Sequence, residues 1–70
     1  MRWAIIIEGT DGNYSAYVPD LPGCVTTGDT LEEVRSLMRE AIEFYLDGMR
    51  EDRLPIPAPT SRVLYVEVAA

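Results

Sequence analysis

The sequence predicts an α+β fold in the order βββαβ, an antiparallel sheet packed on one helix. Three observations predict it. Short β-forming runs broken by Gly and Pro fill the first 28 residues. One stretch from Leu31 onward carries apolar residues at helical spacing. A further β-forming run, Arg62 to Val68, follows a proline-rich connector. Alternation and short runs between turn residues mark strands, whereas a 3.6-residue repeat marks a helix.

The first strand is expected over Arg2 to Glu8, with Trp3, Ile5 and Ile7 on one face and Ala4 and Ile6 on the other. Apolar residues on both faces call for cover on both sides. Gly9-Thr10-Asp11-Gly12-Asn13 reads as a five-residue turn, and Tyr14 to Val18 as the second strand of a hairpin. Pro19-Asp20-Leu21-Pro22-Gly23 stops that strand in a loop stiffened by two prolines. Cys24-Val25-Thr26-Thr27 is a short third strand ended by Gly28.

Thr30 followed three residues later by Glu33 is a capping box, with the cap worth about 1 kcal/mol. Behind it Leu31, Val34, Met38, Ala41, Ile42, Tyr45, Leu46 and Met49 form one buried stripe, which Leu37 and Phe44 are expected to widen. The pattern fades after Arg50, giving a helix of about twenty residues, ~30 Å long. Pro55, Pro57 and Pro59 alternate with Ile56 and Ala58 in an extended connector. The fourth strand then places Leu64, Val66 and Val68 on one face and Val63, Tyr65 and Glu67 on the other.

Seventy residues make one domain, spanning 1–70. Twelve acidic residues against six Arg leave a net charge of -6, with neither Lys nor His. Such a chain repels phosphate backbones, which disfavours direct DNA binding. The lack of His removes the commonest general base and the commonest metal ligand. A single cysteine, Cys24, cannot form an intrachain disulfide, which fits a cytoplasmic protein. The longest apolar run, Trp3 to Ile7, is too short to span a membrane.

Asp11, Asp20, Asp29 and Glu8 lie near strand ends, where a metal-dependent nuclease would need converging carboxylates. They fall in separate turns, and turns and helix starts recruit Asp routinely. Cys24 has no His to activate it, and Ser15, Ser36 and Ser61 have no triad partner. No enzymatic activity, catalytic residue, metal or cofactor is therefore expected. Two features point instead to binding. The apolar first strand, with Trp3, Ile5 and Ile7, suits self-association, because a core this small supplies little stability alone. The hairpin and stiff loop (Tyr14, Tyr17, Asp20, Leu21, Pro22) beside an acidic helix start (Asp29, Glu32, Glu33) suit a basic partner.

The run from Asp11 through Thr30, with Pro19-Asp20-Leu21-Pro22-Gly23-Cys24 followed by Gly28-Asp29-Thr30, resembles the HicB antitoxin family. Leu31-Glu32-Glu33, Glu40-Ala41-Ile42, Tyr45-Leu46 and Pro55-Ile56-Pro57-Ala58-Pro59 extend the resemblance over most of the chain. It implies a partial ribonuclease H-like fold lacking the nuclease carboxylates. It also implies an antitoxin that occludes a basic HicA-like toxin, a small mRNA-degrading protein. The small core adds the expectation that it works as a homo-oligomer, a dimer or tetramer. Many family members carry a C-terminal DNA-binding domain, and none is expected here, since the chain stops two residues beyond the fourth strand. The alternatives are a stand-alone structural or regulatory homo-oligomer without a toxin, and a vestigial ribonuclease H-like nuclease.

Overall fold

The computed structural model describes residues 1–69. Strands β1 (Ile6–Thr10), β2 (Asn13–Tyr17) and β3 (Val25–Gly28) form one antiparallel sheet in the order β1-β2-β3, and helix α1 (Leu31–Glu51) packs on one of its faces. The α+β class and the sheet-on-helix arrangement follow the sequence expectation.

The β1–β2 turn is tighter than the five residues expected. Thr10 pairs with Asn13, leaving a two-residue turn of Asp11 and Gly12. Gly9 makes this possible: it takes a φ of 109°, and a Cβ there would collide with the Asn13 carbonyl. β1 also begins later than Arg2. Its partner strand stops at Tyr17: Val18 N–H faces β3 and donates to the Cys24 carbonyl at 3.1 Å, and the next position that would bond toward β1, Pro19, has no N–H. Residues 2–5 therefore run extended without a ladder.

Between β2 and β3 the loop closes on itself. Leu21 N–H donates to the Val18 carbonyl at 3.1 Å, and Cys24 N–H to the Leu21 carbonyl at 3.0 Å. This fold of the loop points Leu21 inward, where it is fully buried with Ala16, Val18, Cys24, Val34 and Met38. Trp3, Ile5, Tyr14, Ala41, Ile42, Tyr45 and Leu46 pack around that centre.

Thr30 caps α1 as its sequence requires, its hydroxyl oxygen accepting the Glu33 N–H at 3.1 Å. At the other end Leu54 N–H reaches the Met49 carbonyl and Arg53 N–H the Arg50 carbonyl, a Schellman closure. Arg53 holds its left-handed position at φ 55°. The buried stripe is narrower than expected. Leu37 and Phe44 point outward rather than widening it, and Leu31 is half exposed. One sheet face is too narrow to cover more than the Val34–Met38 side of the helix.

The fourth strand does not form. Residues 55–69 leave α1 as an extended segment with no strand pairing. Arg62 to Val68 has the alternation of a strand but no neighbouring ladder to join, and a strand exists only by its pairing. Leu64, Tyr65, Val66 and Val68 are 75–95% exposed.

Candidate functional site

The antiparallel register aligns Ile6 of β1, Tyr17 of β2 and Val25 of β3 in one row across the sheet. Cross-strand partners share a face, and alternation puts Tyr14, Ala16 and Val18 on the opposite, helix-covered side. The row therefore lies on the open face, where Tyr17 is 41% and Val25 64% exposed. Ser15, Thr26 and Thr27 complete a shallow depression beside it. The apolar first strand suggests a second covered face; the register identifies which residues of β2 and β3 share it. Val25 was not singled out by sequence, because a single valine among threonines carries no signal until the register is known.

An acidic end adjoins this face. Gly12 N–H donates to the Asp29 carbonyl at 2.8 Å, tying the hairpin tip to the start of α1. Asp11 is thereby brought toward Asp29, Glu32 and Glu33, all four exposed. The Asp11 carboxylate accepts the Tyr14 hydroxyl at 2.6 Å, and this hydrogen bond pushes the phenol above its ordinary pKa. β3 connects the two features, beginning at Val25 and leading directly into Asp29.

The remaining candidates are placed differently. Leu21 is removed from any contact surface by its complete burial. Pro22 is exposed, and its carbonyl accepts the Tyr45 hydroxyl at 2.9 Å, so the loop is pinned to mid-helix. Asp20 holds the connector. Its carboxylate accepts Ser61 N–H at 2.9 Å, the Ser61 hydroxyl at 2.8 Å and the Thr60 hydroxyl at 3.4 Å. The Ser61 amide and hydroxyl together hold the Asp20 carboxyl below its usual range. Trp3 and Ile5 are half-buried against the core, and Ile7 is partly exposed.

Chemically reactive groups do not gather. Among the described residues no three His, Cys, Asp or Glu side chains come close enough to share a metal ion. Cys24 is buried, and desolvation pushes its thiol pKa up, away from the reactive thiolate. No described helix is long and apolar enough to cross a membrane. The arrangement offers contact area and negative charge, which is the chemistry of a protein-binding surface.

Comparison with known proteins agrees. The sequence profile described as "HicB_like antitoxin of bacterial toxin-antitoxin system" matches residues 3–68. An uncharacterised 14.9 kDa protein of Haemophilus phage HP1 is 44% identical over 57 residues, 81% of this chain but 43% of the phage protein. Antitoxin HicB 2 of Photorhabdus laumondii is 34% identical over 71 residues, all of this chain and 51% of the relative. A UPF0150 protein of Helicobacter pylori is 37% identical over 65 residues, covering 91% of this chain and 90% of the relative. The chain thus spans about half the length of the phage protein and of the Photorhabdus antitoxin, and nearly all of the Helicobacter protein. By a match that runs from the first apolar strand through the C-terminal segment, the chain belongs to the HicB-like antitoxin family.

Proposed function

We propose that the protein is an antitoxin module that neutralises a basic, HicA-like mRNA-degrading toxin by covering the surface on which RNA binds. The carrying observation is the juxtaposition of an apolar row, the half-buried Ile6 with the exposed Tyr17 and Val25, with an acidic end of Asp11, Asp29, Glu32 and Glu33. Buried apolar area supplies most of the affinity in a protein interface, while opposed charge steers encounter and fixes orientation. Carboxylates at this end would stand where RNA phosphates otherwise sit on the toxin. Tyr14 and Pro22 contribute at the margin, and Asp20 acts indirectly through the connector. The antitoxin acts by binding, in the cytoplasm where mRNA is found, and as a homo-oligomer in which the Trp3, Ile5 and Ile7 edge takes part. The ribonuclease H-like reading of the fold goes with a fourth strand contributed by the C-terminal segment.

The test is RNA cleavage by a purified HicA-like toxin encoded beside this gene, titrated with the protein. Cleavage falls to background as the protein reaches stoichiometry. Unchanged cleavage at large excess overturns the proposal.

A further inference from the structure

The surface of the chain is too large for its mass. It exposes 5797 Å², against the ~4,400 Å² that compact proteins of 7.8 kDa show. The radius of gyration, 13.8 Å, likewise exceeds the ~11 Å of a compact 70-residue domain. The segment 62–69, extended and exposed beyond the Asp20 clamp at Ser61, contributes to the excess, with Leu64, Tyr65, Val66 and Val68 75–95% exposed. About 1,400 Å² of excess per chain is more than the ~800 Å² each partner buries in a standard interface.

The same molecule carries an empty position of matching shape. The outer edge of β1 has no strand neighbour, and β1 is preceded by the extended residues 2–5. Between those leading residues and α1 runs a groove of about 640 Å³. Trp3, Ile5, Ile42 and Leu46 form its apolar floor, and its rim holds Arg2, Arg35, Arg39 and Arg50, four of the six arginines. Arginine stems extend apolar cover while their heads stay wet. β3 offers the only other sheet edge among the described residues, but it is four residues long and the shallow depression beside it is lined mainly by Ser15, Thr26 and Thr27 rather than by a continuous apolar floor.

We infer that segment 62–69 of one copy adds as a strand to the β1 edge of a second copy, in a reciprocal exchange. Leu64, Val66 and Val68 of the incoming segment lie over Trp3, Ile5, Ile42 and Leu46, and the backbone of residues 2–5 gains the ladder it lacks. Arg62 and Val63 line a depression with Arg2, Trp3 and Ala4 of their own chain, but residues 64–69 beyond them are exposed and unpaired, and the excess surface is what an interface between two copies buries, so the occupant is a second copy. Two-fold exchange satisfies both copies at once and leaves no dangling segment. The inference rests on the self-association part of the proposed function and is independent of the toxin.

Light scattering on the wild-type protein and on Val66→Asp tests it, together with mixing of Ile5→Cys and Val66→Cys variants under oxidation. The wild type has twice the protomer mass, and Val66→Asp raises the dimer dissociation constant by about 100-fold or more because a charge enters the apolar floor. Its helical circular dichroism is unchanged, since Val66 is exposed in the single chain. A covalent dimer forms on mixing the two cysteine variants. A monomeric wild type overturns both self-association and the strand exchange. A dimer that Val66→Asp leaves intact, with no cross-link, overturns the exchange alone.

Discussion

The Asp20 carboxylate receives the backbone N–H and the hydroxyl of Ser61, residues 41 positions apart, at 2.9 and 2.8 Å. One loop acid therefore fixes where the chain leaves the domain after its proline connector. The folded carboxyl titrates below its unfolded value near 3.9. The clamp is thus complete above about pH 4 and is lost as pH falls through the lower folded pKa. Hydrogen exchange at the Ser61 amide, corrected for its intrinsic pH dependence, is protected at neutral pH and loses protection in that acid range. Asp20→Asn weakens protection at neutral pH and removes the acid transition; a transition unchanged in the variant contradicts this assignment.

Leu21 is a core residue in a loop, so truncation should be costly. Leu21→Ala leaves a cavity beside Val18, Val34 and Met38 and costs about 2–5 kcal/mol in denaturant unfolding. Val25→Ser, on the open face, changes stability by no more than about 0.5 kcal/mol but weakens toxin binding. Equal destabilisation by the two substitutions would contradict the division between core and contact surface.

Arg53 occupies the left-handed position that ends α1, which suits glycine. Arg53→Gly should raise stability by about 0.5–1 kcal/mol, read as a higher thermal midpoint. At the opposite end Thr30→Ala should lower it by about 1 kcal/mol, because the Glu33 N–H loses its acceptor.

How far these features were legible in sequence varies with what determines each. The cap at Thr30, the burial of Val34 and Met38 and the existence of the hairpin depend on local pattern and follow it, although the hairpin's strands are shifted and its turn is two residues rather than five. Leu21 did not betray its burial, because its direction is set by the backbone bonds between Val18, Leu21 and Cys24, which no periodicity encodes. Phe44 shows the reverse: its apolar character promised burial, yet no sheet reaches that side of α1. Arg62 to Val68 reads as a strand and has no ladder in the single chain, because pairing belongs to the neighbour and not to the residues. Of the candidate contact residues, Tyr17, Asp29, Glu32 and Glu33 are exposed as the sequence suggests, whereas Asp20 is engaged within the chain.

Charge at the acidic end should act mainly on encounter. Reversing Glu32 and Glu33 to Lys slows association with a basic toxin at low salt, and the difference shrinks as the Debye length falls from about 30 Å at 0.01 M to about 8 Å at 0.15 M. Stopped-flow association rates measure it. An equal loss at both ionic strengths contradicts steering.

Competition between RNA and this protein for the toxin tests occlusion most directly. A catalytically inactive toxin is bound to labelled RNA, and the protein is titrated in while anisotropy is followed. Occlusion predicts full release of the RNA, with a midpoint that rises in proportion to RNA concentration. A stable ternary complex, with RNA still bound at saturating protein, would contradict it.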